Sequence, residues 1–137
     1  MACPYFHPAA EEFVDAPGWH PLGDAHRGCC QANPCEPFQP SDLMLRDLCN
    51  LGYAAQQCPR FPAHADADAV RFTVARDDGG VIGLYYVAEK NHLPQSHGPL
   101  EYSRAAGAFT LAHADAILQW QAEAYLASYL RRQPNAS

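Results

Sequence analysis

The first forty residues of this 137-residue chain hold seven of its twelve prolines and four of its six cysteines. No helical or strand period runs through them. Proline fixes its own φ and gives up an amide donor, so a stretch this rich in it reads as turns and short extended pieces. Forty residues without regular structure are uncommon in a compact domain and call for something to hold them. Burial of Tyr5, Phe6, Phe13, Trp19 and Phe38 on a core is one way. A metal centre built from cysteines is another, and both can operate together.

The partners for such a centre lie in Leu48–Pro59, where Cys49 and Cys58 flank a helix end beside Tyr53 and near Phe61. Four thiolates suffice for a tetrahedral zinc or a cubane cluster. The candidate ligands are Cys3, Cys30, Cys49 and Cys58. Adjacent side chains diverge, so Cys29 and Cys30 do not both face one centre, and Cys29 and Cys35 are alternatives to Cys30. Zinc knuckles use close CxxC pairs, and this chain has none. Cys3-x3-His7 does have a zinc-like spacing, which keeps a mixed Cys/His site open. Cys3-Pro4 and Cys58-Pro59 instead resemble the proline that follows the last cysteine of ferredoxin-type runs, although the overall spacing follows no such run. Aromatic residues beside the thiols would shield a cluster and tune its potential.

The chain carries 15 acidic against 9 basic residues, a net charge of −6. The basic residues are scattered, apart from Arg131-Arg132. Phosphate backbones and anionic membranes both select clustered positive charge, so neither nucleic acid nor a membrane is an expected partner. No secretory signal and no membrane span is expected, and the chain reads as cytoplasmic. In that compartment thiols stay reduced, and a disulfide framework is the less favoured use of an even cysteine count.

The remaining pattern predicts an α+β fold. Ser41 is an N-cap for a helix with Asp42 in its first turn. Met44, Leu45, Leu48 and Leu51 form its buried face, and Gly52 ends it in a left-handed conformation. A short helical turn is expected over Tyr53–Gln57, and Ala63–Ala69 reads as a polar connection. Val70, Phe72 and Val74 alternate with polar residues, Asp77-Asp78-Gly79-Gly80 turns, and Val81–Glu89 returns with Ile82, Leu84, Tyr86 and Ala88 on one face. Asn91–Tyr102 reads as a loop because of Pro94, Gly98 and Pro99. A long helix is expected from about Thr110 to Arg132, with one apolar line on Leu111, Ala114, Leu118, Ala122, Tyr125 and Tyr129 and a second on Ile117, Trp120, Ala124, Ala127 and Leu130. A surface that wide exceeds the needs of one hairpin, so a homodimer through this helix is expected to be feasible.

The whole is expected to be one domain, 1–137. Its cysteine-rich metal-binding part spans 1–62 and its hairpin plus helix spans 63–137. The function expected is that of a small iron–sulfur protein. One [4Fe–4S] cluster on the four cysteines would exchange electrons with a redox partner protein, or sense oxidants. One alternative is a zinc-stapled structural or interaction protein. Another is a metal-dependent enzyme using His92, His97 and Glu101, since imidazole titrates near neutrality. Ser96 beside His97 lacks the setting of a hydrolase nucleophile. Gly79, Gly80 and Gly83 are followed by no helix and are not a phosphate loop.

Overall fold

The strongest β signal in the chain builds its centre. The computed structural model describes residues 2–12, 22, 26–32, 38–50, 52, 58, 61–62, 65 and 67–132. Strands β3 (Ala69–Asp77) and β4 (Val81–Lys90) pair antiparallel, with Val70 opposite Ala88, Phe72 opposite Tyr86 and Val74 opposite Leu84. The turn between them rests on its two aspartates. Asp77 accepts from the Gly79 amide at 3.1 Å, and Asp78 accepts from Val81 at 2.8 Å and Gly80 at 3.2 Å. Gly79 takes φ 91°, which a side chain would oppose.

The expected loop Asn91–Tyr102 is instead strand β5 (Leu93–Ser103), paired along its length with β4. Lys90 faces Leu93, so Asn91 and His92 are the two residues of a tight hairpin, with φ 54° and 64°. Both values are positive, as a primed hairpin turn requires, and asparagine tolerates that region better than most residues. The prolines misled because they mark turns locally. Strand β6 (Ala108–Leu111) pairs only with Glu101–Ser103, so Pro94 and Pro99 lie where β5 has a partner on one side among the described residues, a position proline can occupy.

Helix α2 (Ala116–Arg132) starts later than the apolar pattern suggests, since Thr110 and Leu111 belong to β6. Asp115 sets the start. Its carboxylate accepts from the amides of Ile117 at 2.9 Å and Leu118 at 3.3 Å. Gln119 reaches back to accept from the His113 amide at 2.8 Å, which ties the preceding segment to the first turn. Leu118, Ala122, Tyr125 and Leu126 face the sheet and join Val70, Phe72, Ile82, Leu84, Ala88 and Leu100 in one core. Of the second predicted line, Ile117, Ala124 and Leu130 are half-buried and Trp120 is 38% exposed. Among the described residues no helix is long and apolar enough to cross a membrane.

The N-terminal segment is more regular than its prolines imply. Strands β1 (Phe6–Glu12) and β2 (His26–Cys30) form a two-stranded antiparallel sheet, with Phe6 opposite Cys30 and His7 opposite Cys29. Phe6 is fully buried in the core, while Phe13, Trp19, Cys35 and the turn expected over Tyr53–Gln57 lie outside the described residues. Ala2 exchanges two backbone hydrogen bonds with Val70, both 2.7 Å, which attaches the segment to β3. Ser41 does cap a helix, α1 (Asp42–Met44), accepting from the Met44 amide at 3.3 Å. This helix widens into a π-type turn over Leu45–Cys49, and Gly52 beyond it takes φ 78°. The polar connection before β3 is partly docked, since Ala65 is buried and its carbonyl accepts from Lys90 Nζ.

Candidate metal centre

Four separate pieces of chain bring thiols to one cavity. Cys3 sits in a turn ahead of β1, Cys30 ends β2, Cys49 ends the π-type turn, and Cys58 precedes Phe61. All four line one cavity, part of it open to solvent. Tyr5, Phe6, Phe61, Ala32, Pro40, Met44 and Leu48 also line it, and among the described residues no charged side chain does. Cys3 and Cys49 are buried, and Cys30 and Cys58 are half-buried.

Backbone bonds fix these positions. The Cys3 amide donates to the Cys49 carbonyl at 3.0 Å, and the Phe6 amide closes the turn on the Cys3 carbonyl at 3.1 Å. Cys30 exchanges two backbone bonds with Phe38, and the Gln31 amide donates to the Tyr5 carbonyl at 2.8 Å. In the π-type turn the Asn50 amide donates five residues back, to Leu45, at 3.1 Å. Such wide turns recur at functional sites. The buried Asn50 side chain ties that turn to β2. It donates to the carbonyls of Leu45 at 2.8 Å and His26 at 3.0 Å and accepts from the His26 amide at 2.9 Å. Cys49 is thereby linked to the strand that carries Cys30.

Alternation along β2 separates the neighbouring thiols. Cys29 lies opposite His7 and accepts from Gln31 Nε2 at 3.3 Å, and it is not part of the cavity wall. Alternation along β1 likewise sends Phe6 into the cavity and His7 onto the indole of Trp120, with ring centroids 3.7 Å apart. Desolvation there lowers the pKa of His7. The zinc-like spacing of Cys3 and His7 is not realised at this cavity. Edge-to-face contact between Tyr5 and Phe61 at 5.7 Å packs the aromatic side of the wall.

Burial pushes the Cys3 thiol up to about 12, helped by the neighbouring Cys30 and Cys58 and opposed by backbone hydrogen bonds. Cys49 is also pushed up to about 12, first by burial and then by Cys3, Cys30 and Cys58. The four groups are close enough for ionisation of one to disfavour ionisation of another. Cys3, Cys29, Cys30, Cys49 and Cys58 are all free thiols. Among the described residues, no three or more His, Cys, Asp or Glu side chains are grouped so as to hold a metal ion.

The histidine constellation is dispersed. His92 occupies the β4–β5 turn, His97 is hydrogen-bonded to Tyr85 on β4, and Glu101 pairs with Arg76 at 3.1 Å. None lines the cysteine cavity. Asn50, Gly28 and Gln121, which position the site, were not singled out by the sequence. Compared with family models, curated proteins and solved structures, the chain matches none of them.

Gly28 gives a direct test of how tightly the two N-terminal strands must pack. A Cβ there would stand 2.1 Å from the His7 carbonyl oxygen, 2.8 Å from the Phe6 ring and 2.9 Å from Pro8 Cα. Two of these are backbone atoms, so the strands must separate. Gly28→Ala is expected to destabilise the protein by about 1–3 kcal/mol, measured as a fall in the denaturation midpoint. An unchanged midpoint would show that β1 and β2 are less closely apposed than described.

Proposed function

We propose that this protein is a small iron–sulfur protein that binds one [4Fe–4S] cluster through Cys3, Cys30, Cys49 and Cys58, for electron transfer or redox sensing. The observation that carries the reading is the meeting of four thiols, from four separate pieces of chain, on one cavity whose described lining is apolar. Buried cysteine often acts as a small apolar side chain, so the burial of Cys3 or Cys49 alone would mean little. Four on one cavity is a different matter, because among the described residues the wall offers their thiolates no compensating charge. A positively charged inorganic core supplies it.

The donor set fits such a core. Zinc at about 2.3 Å from each sulfur draws its ligands to a single point. Thiols spread around a cavity, from four pieces of chain, suit a centre with several metal atoms. When bound, the cluster would accept and release an electron. The chain would keep water away through Tyr5, Phe6, Phe61, Met44 and Leu48, and hold the N-terminal arm against the turn bearing Cys49. Solvent exclusion and the scarcity of nearby charge are the levers that set a cluster's potential.

Anaerobic purification followed by iron and acid-labile sulfide analysis tests the reading. Roughly four of each per chain, with a brown colour that bleaches on reduction, is the expected result. Stoichiometric zinc in a colourless protein would turn the site into a structural staple. Absence of both metals would overturn the proposal.

A further inference from the structure

Gln121 lies within α2, 118 residues along the chain from Cys3, and is fully buried. Its Nε2 donates to the carbonyls of Cys3 at 2.7 Å and Phe6 at 2.8 Å. Both partners are acceptors only, so the amide nitrogen must face them. These carbonyls belong to the two ends of the turn that presents Cys3. The Cys3 main chain is therefore held on one side by Cys49 and on the other by Gln121. Committing both amide protons to the turn leaves Gln121 Oε1 buried without a hydrogen-bond donor among the described residues. An unpaired buried oxygen is destabilising, and methionine would fill similar space without it. The arrangement is thus poorly explained as packing and well explained as a clamp on the turn.

We infer that Gln121 is a positioning residue for the cluster proposed above, and that it couples docking of α2 to retention of that cluster. The inference rests on the cluster reading. Gln121 acts through the main chain of Cys3, by hydrogen bonds to backbone carbonyls. A turn already held in its ligating shape loses less freedom when the cluster binds, so affinity rises. Linkage makes the effect reciprocal, and a retained cluster must hold α2 more firmly to the N-terminal turn.

The test uses full-length protein loaded with iron and sulfide under anaerobic conditions. Gln121→Met keeps the length of the side chain and removes both donors. It is expected to bind the cluster but release iron to a chelator about 5–100-fold faster than wild type, the range for losing two ordinary hydrogen bonds. In the loaded variant, mass spectrometry after iodoacetamide should find Cys3 alkylated ahead of Cys49 and Cys58. Ser128→Ala, another buried position on α2, should not single out Cys3. Hydrogen exchange on the wild type supplies a measurement independent of any variant: α2 amides around residue 121 should be better protected in the loaded form than in the apo form. Equal α2 protection in the two forms, or wild-type iron release and Cys3 protection in a folded Gln121→Met, would overturn the inference while leaving the cluster reading intact. A wild-type protein that takes up no iron overturns both.

Discussion

Cys58→Ser is expected to strip the protein of iron and sulfide, while Cys29→Ser keeps the full complement. The two thiols are both half-buried and both free, so exposure does not separate them. What separates them is direction. Cys58 lines the shared cavity, whereas Cys29 accepts a hydrogen bond from Gln31 and lies outside its wall. Loss of one ligand from a four-thiolate centre should take metal content from roughly four iron atoms per chain to near none. The effect should reach the fold, because a centre that forms only on folding contributes its binding energy to folding. Backbone amides in residues 2–12 should therefore exchange faster in Cys58→Ser than in Cys29→Ser. Equal iron in the two variants would remove Cys58 from the ligand set. Lost iron with an undisturbed arm would mean that burial of Phe6 and the Ala2–Val70 bridge suffice to order it.

A second large effect is expected in alkaline solution. In the apo protein Cys3 and Cys49 are each pushed up to about 12, chiefly by burial, from an ordinary value of 9.0. The folded state keeps protons that the unfolded chain has released. The contribution of these thiols is therefore fully present below pH 9 and is lost as pH rises towards 12. Stability should fall across that window by up to about 1.4 kcal/mol per pH unit for each thiol, a large loss against a typical total of about 5–15 kcal/mol. Tyr125, raised by its own burial, adds a change of the same sign above its ordinary value of 10.0. Urea titrations of the apo protein at stepped pH would measure the slope. A Cys3→Ala/Cys49→Ala double variant should retain only the remainder. The cluster-loaded protein should also lack the thiol contribution, since ligating sulfurs carry no proton. A slope unchanged by the double substitution would show that the two thiols are not buried as described.

Local chemistry made several parts of the fold legible in the chain. Ser41 caps α1, Gly52 takes the left-handed conformation that follows it, and Val70, Phe72, Ile82 and Leu84 alternate into a buried sheet face. Each signal depends on neighbours within a few residues, so composition and spacing suffice to express it. Failures arose where local and distant preferences conflict. Pro94, Gly98 and Pro99 read as a loop, but pairing with β4 supplies hydrogen bonds and burial that outweigh their turn preference. The apolar line through Leu111 read as helix, but Asp115 caps the helix only after β6 has finished.

Residue type pointed to Cys3, Cys49, Cys58 and one of Cys29 and Cys30 as a set, because reduced thiols without CxxC pairs have few common roles and adjacent side chains diverge. The pairing of β2 decided that it is Cys30 which lines the cavity. Sequence had no means of bringing them together. That is decided by the Asn50 bridge from the π-type turn to β2, by the close approach at Gly28, and by Gln121 reaching from α2 to the Cys3 turn. These contacts join residues far apart in the chain, and their strength depends on exclusion of water, which exists only after the helix and the sheets have packed.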